Sequence, residues 1–276
     1  MMSEDPAIPA AVGASERGAC LAAMKIRRDH GLGTGPIADL HELIGLVAPG
    51  VDVAILEMPV GMDGMVLTDP VRKKSIIGVA TTGVPERQRS SMGHELGHIV
   101  FADYEAGLRH DPSARTPEEI RADTFARHLL APVEGVRDFL EDLNALRGEL
   151  NPRHVSSVVR HFQVSPAIAL IQMHSDGWIT TEQKDEWRES SQSLALRYGW
   201  IGDYRAMAAE SSTPRPPQRL IENATEGYIR NLVSVQGLAA LSGVAPDRQL
   251  SELEAAGIRP ETIEVAWADL DAFGPA

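Results

Sequence analysis

Two histidines four residues apart, His94 and His98, constrain this chain more than any other feature of its sequence. On a helix, positions i and i+4 stand one above the other on the same face, so the two imidazoles are near enough to share one ion. The surrounding segment, Met92-Gly93-His94-Glu95-Leu96-Gly97-His98-Ile99-Val100, reads as helical, and Met92, Leu96 and Ile99 form a separate apolar stripe for the core. The histidines are therefore not needed as core filler. Glu95 projects beside their face, where its carboxylate reaches a water held by the ion rather than the ion itself. The competing reading is a coincidental pair on a surface helix.

His-Glu-x-x-His is the arrangement of zinc metalloproteases, and a catalytic zinc needs a third protein ligand and an open fourth position. Cys20 is the single cysteine, which excludes a thiolate cluster and an intramolecular disulfide framework. A third histidine of the metzincin type is excluded too, because Phe101 and Tyr104 stand at the glycine and histidine positions of that motif. A carboxylate from a following helix is the alternative. Thr116 reads as an N-cap, with Pro117 at the first helical position and Glu119 as a capping-box acid. In that helix Glu119 and Asp123 share a face, and Ala122 and Ala126 are small enough for close helix packing. The expectation is Glu119 as the third metal ligand. Asp123 would bond the far ring nitrogen of a ligand histidine, fixing its tautomer and raising its basicity. Glu118 points about 100° away. The plainer reading is that Glu118 and Glu119 only favour a helix N-terminus electrostatically.

These residues resemble the ImmA/IrrE metallo-endopeptidases. The family pattern is H-E-x-x-H followed by E-x-x-A-x-x-F-A-x-x-L-L-M-P, and here His94–His98 is followed by Glu119-Ile120-Arg121-Ala122-Asp123-Thr124-Phe125-Ala126-Arg127-His128-Leu129-Leu130-Ala131-Pro132. Ala131 replaces the usual methionine, a packing change. The likeness covers roughly residues 35–180 and implies a gluzincin-like peptidase. It also implies a protein substrate, an HTH-type transcriptional repressor, whose cleavage switches on mobile-element or stress-response genes.

The chemistry expected of the site follows from its residues. Zn2+ at His94, His98 and Glu119 would lower a water's pKa to about 7. Glu95 would take the water's proton during attack on a peptide carbonyl and pass it to the leaving amine. Tyr104, His110 and His128 are candidates for the oxyanion donor, with nothing to choose between them. Two histidines and a carboxylate suit several divalent ions. The alternative is a non-enzymatic regulator that binds a repressor or DNA and holds metal structurally, but such a site has no need of a base at Glu95.

The expected fold is α+β: a zincin-like core with a small, mainly antiparallel three-stranded sheet and an active-site helix, followed by helical HTH-like regions. Helices are expected over Glu16–His30 and from about Ile37 to Leu46. Strands are expected near 51–57, 62–68 and 75–80, separated by Gly61 and Asp69-Pro70. The active-site helix should open at Pro85-Glu86 and run to about Ala102. Further on, Arg153–Phe162, a turn at Val164-Ser165-Pro166 and a helix to Met173 outline a helix-turn-helix, with Gly177–Thr180 as a strand-like wing. The domain reading is a flexible tail at 1–14, a zincin-like domain at 15–133, a helical HTH-like domain at 134–210, a Pro-rich linker at 211–218 and a small helical region at 219–276.

Composition bounds the partners. Against 39 acidic residues stand 26 Lys and Arg, a formal net charge of −13, and direct DNA binding needs a positive field. The Arg153, His154, Arg160 and His161 patch is therefore expected to be packing or protein-facing surface rather than a DNA contact. No apolar run approaches a membrane span and no signal peptide opens the chain, so a cytoplasmic location without membrane attachment is expected. Val235–Glu254 reads as two short helices about a Gly-Val-Ala-Pro turn. Lys25, Arg27 and Arg28 read as a solvated helix end, and Cys20 as a small core residue. His30, His41 and His174 have no spacing that suggests a ligand set.

Overall fold

A computed structural model describes residues 10–69, 71, 74–103 and 116–262. Tyr104, His110 and the first nine residues of the expected tail lie outside the described residues. The Ala-rich stretch from residue 10, strong in helix formers, already belongs to helix α1 (Ala10–Asp29).

α2 (Leu40–Val47) is capped by Asp39, whose side chain accepts from Glu42 N–H. Strands β1 (Asp52–Leu56), β2 (Gly64–Asp69) and β3 (Lys74–Ala80) follow. The sheet order is β1-β3-β2. β2 pairs antiparallel with β3, from Gly64 opposite Val79 to Asp69 opposite Lys74, whereas β1 runs parallel to β3, from Asp52 opposite Ile76 to Leu56 opposite Ala80. The sheet is thus mixed rather than mainly antiparallel. β3 lies at the centre, with Ile77 and Val79 fully buried. The outer edge of β1 is bridged by Arg215, which exchanges two backbone hydrogen bonds with Ile55.

α3 (Pro85–Phe101) opens on proline and ends at Ala102 in the left-handed conformation. α4 (Pro117–Leu130) is capped by Thr116, which accepts from Glu119 N–H. α3 and α4 approach closely because the facing residues are small. A Cβ at Gly93 would stand 3.2 Å from Ala126 Cβ, and one at Gly97 would stand 3.2 Å from Ala122 Cα.

Helices α5 (Val133–Asp142), α6 (Pro152–Phe162), α7 (Pro166–Ser175), α8 (Thr181–Glu186), α9 (Ser191–Tyr198) and α10 (Ile201–Ser211) complete the first compact unit, residues 1–215. One buried cluster runs from Ala19 to Tyr204, so residues 134–210 share a core with the helices before them. α6 and α7 have the expected helix-turn-helix outline, but residues 177–180 are not a wing strand. Gly177 turns at φ +69, Trp178 and Ile179 are buried, and Thr180 caps α8 in a capping box with Gln183.

The second unit, residues 216–276, holds α11 (Gln218–Ile229), α12 (Val235–Ser242) and α13 (Pro246–Ala255) around Ala224, Tyr228, Leu238 and Leu253. Two residues of α1 depart from expectation. Arg27 is 3% exposed because its guanidinium donates to the carbonyls of Gly33, Gly35 and Leu129, a use no surface cation has. Cys20 is only half-buried, since Ala19 and Ala23 take the core positions. No helix among the described residues is long and apolar enough to cross a membrane.

Candidate metal centre

The close α3–α4 contact brings His94, His98 and Glu119 to one point. His94 Nε2 lies 3.0 Å from Glu119 Oε2, His98 Nε2 lies 3.4 Å from Glu119 Oε1, and the two Nε2 atoms are 3.0 Å apart. Atoms bound tetrahedrally to a zinc at about 2.0–2.1 Å would be separated by about 3.3 Å. The three side chains therefore already stand at ligand spacing.

Both rings are oriented from behind. His94 Nδ1 bonds Asp123 Oδ1 at 2.9 Å, and His98 Nδ1 bonds Asp103 Oδ1 at 2.8 Å. A carboxylate on Nδ1 holds the proton there and leaves Nε2 with its lone pair. Two lone pairs and a carboxylate then converge, a set of acceptors that calls for a cation. The same carboxylates favour positive charge at this point, a proton on the ring wherever no metal takes its lone pair. Burial alone would lower His94, yet Asp123 and Glu119 raise its pKa to about 10. His94 and His98 hold the Glu119 carboxyl well below the usual carboxylate range. The donor set fits a divalent metal.

Asp103 was not legible as a site residue. Ala102 in the left-handed conformation reverses the chain after α3, and Asp103 N–H donates back to His98 O, which places the Asp103 carboxylate beside the ring. Arg121 from α4 holds its other oxygen at 2.5 Å.

Glu95 is 8% exposed and makes no side-chain hydrogen bond among the described residues. Burial pushes its pKa up, while the two histidines pull it down and Glu119 raises it further. Its carboxylate rests on Gly64 at the start of β2, where a Cβ would lie 2.6 Å from Oε1. Only glycine leaves that space.

The remaining candidates fall elsewhere. His128 lies nine residues beyond Glu119 on α4, about 13 Å along the axis, too far to meet an oxyanion at the metal. Burial, helped by Arg127, pushes its pKa down to about 4. The basic residues of α6 are committed within the first unit. Arg153 stacks on Tyr198 at 5.0 Å and Arg160 pairs with Asp203 at 2.6 Å. His154 closes the α6 capping box and His161 stacks on Phe139 at 3.9 Å.

Residues 48–174 match the family model Peptidase_M78, the IrrE N-terminal-like domain, and so span the sheet, the metal-ligand cluster and the helix-turn-helix outline. Those residues are an IrrE N-terminal-like domain. This gives the chain a metallopeptidase-like core, in keeping with the His94, His98 and Glu119 cluster. A search of curated proteins finds no match.

Proposed function

We propose that the protein is a zinc-dependent endopeptidase that hydrolyses a peptide bond in a regulatory protein, an HTH-type transcriptional repressor. The observation that carries the peptidase reading is Glu95, a nearly buried carboxylate without a hydrogen-bond partner among the described residues, beside three side chains at ligand spacing. A purely structural metal site gives such a group nothing to do.

His94, His98 and Glu119 would hold the ion, and Asp123 and Asp103 hold the two rings. A bound zinc supplies Lewis acidity, lowering the pKa of a water and stabilising developing negative charge. Glu95 takes the proton from the attacking water as the water's oxygen bonds to the carbonyl carbon. It then delivers the proton to the amide nitrogen as the C–N bond breaks. The raised Glu95 pKa suits a group that must both accept and return a proton.

The two sheet edges differ in what they offer a substrate. β1 is already bridged by Arg215, whereas β2 has no strand on its outer side among the described residues and begins at Gly64 against Glu95. An extended substrate segment adding to β2 would bring its backbone past the base. The repressor assignment rests on the family resemblance, and the internal pairing of the α6 cations supports a protein rather than a DNA partner.

The test is digestion of a cytosolic proteome by the zinc-loaded full chain, with new N-termini identified by mass spectrometry. Cleavage of a helix-turn-helix protein that disappears with Glu95→Gln is expected. Cleavages unchanged by Glu95→Gln would defeat the mechanism, and cleavage confined to unrelated proteins would defeat the repressor assignment.

A further inference from the structure

The face of α3 turned away from the metal-ligand cluster lines a cleft of about 300 Å³, the lower end of the range for small-molecule sites. Glu86, Arg89 and Met92, three residues apart, lie on that face. His94 and His98 lie five and nine residues beyond Arg89, about 140° and 180° round the helix. The opposite walls include Val159 of α6, Trp200 at the N-cap of α10 and Met207 of α10.

Among the charged or titratable residues that line the cleft, which also include Asp39, His41, Glu210 and Arg215, the buried Glu86 and the half-buried Arg89 are not used by each other. Arg89 has five N–H donors, and among the described residues they meet one acceptor, Ile37 O, 2.8 Å from Nη2, while Nε is sealed off without a partner. Burial lowers its pKa, opposed by Asp39, whose carboxylate is already engaged at the α2 cap. Glu86 is 8% exposed and accepts from Ser191 Oγ through Oε1. Glu86 and Arg89 are i,i+3 neighbours, a spacing at which opposite charges meet, yet no ion pair joins them among the described residues. Burying a charge is costly unless it is paired. A cation and an anion, held apart beside an apolar wall, match a ligand that carries both charges and an apolar body.

We infer that this cleft binds an α-amino acid with an apolar side chain, its carboxylate on Arg89, its ammonium on Glu86 and its side chain against Val159, Trp200 and Met207. The site is separate from the metal centre, which the peptidase reading uses, and stands or falls without it.

Isothermal titration of the zinc-loaded full chain with L-leucine, 4-methylpentanoate and 3-methylbutylamine tests this. L-leucine is expected to bind more tightly than either singly charged analogue. Its affinity should fall about tenfold or more in Arg89→Lys and in Glu86→Gln. Because Arg89 also holds Ile37 O, Glu86→Gln decides alone if the Arg89 variant does not fold. His94→Ala should bind L-leucine as the wild type does, whereas loss there would place the binding at the metal and overturn the inference. Absence of binding by L-leucine, equal binding of 4-methylpentanoate, or unchanged affinity in Glu86→Gln would also overturn it.

Discussion

Gly64 leaves the space that the Glu95 carboxylate fills: a Cβ at position 64 would stand 2.6 Å from Oε1 and 3.0 Å from Cγ. The base is thus positioned by the absence of a side chain on a neighbouring strand.

Gly64→Ala should therefore leave the metal in place and displace the base. The Glu95 side chain can swing aside, so the fold should survive. A shift of about 1 Å at a reacting group can lower the rate about 100-fold. The expected result, for a peptide cleaved by the wild type, is a fall in kcat/KM of that order at unchanged zinc content. Full activity in Gly64→Ala would show that Glu95 is not held by this contact.

Asp103→Asn should weaken metal binding about 10- to 100-fold, the usual effect of removing a carboxylate behind a ligand histidine. Asp123→Asn should act in the same direction through His94. Competition against a chromophoric chelator measures both. Affinities equal to the wild type would mean that the Nδ1 contacts do not orient the rings.

Ala122→Leu should wedge α3 from α4 at Gly97, where even an added Cβ would stand 3.2 Å from Ala122 Cα. Overpacking of this kind costs about 1–3 kcal/mol, read from urea unfolding. Because Glu119 and the histidines sit on opposite sides of that contact, zinc affinity should fall as well. Lost stability with unchanged affinity would separate the packing from the site.

His128 predicts a pH dependence of stability. Its pKa is about 4 in the folded chain because of burial, then Arg127, against about 6.5 when unfolded. Folding favours the neutral ring, so its contribution is complete above pH 6.5 and is lost as pH falls towards 4. In chelator-treated protein, the stability of the wild type minus that of His128→Gln should stay constant above pH 7 and decline between 6.5 and 4. A constant difference throughout would contradict the burial of His128.

The helices that carry the site were legible because their ends are written locally: Pro85 opens α3, and Thr116-Pro117 opens α4. Small residues at Ala122 and Ala126 gave the close packing, though their partners Gly93 and Gly97 emerge only in three dimensions. The parallel β1–β3 pair was not legible, since three successive short strands read most simply as hairpins. β3 lies at the centre, an order that no turn signal records. Asp103 depends on a chain reversal at Ala102, a residue that does not advertise the left-handed conformation. The false wing at 177–180 had a readable correction, because Thr180 and Gln183 have capping-box spacing.

Central to the proposed function is that His94, His98 and Glu119 hold a metal ion beside a base that is not itself a ligand. Zinc content per chain, measured by mass spectrometry on wild type, Glu95→Gln and His94→Ala after identical reconstitution, tests it most directly. About one zinc in the first two and none in the third is the predicted result. No zinc in the wild type, or zinc retained in His94→Ala, would contradict the metal centre.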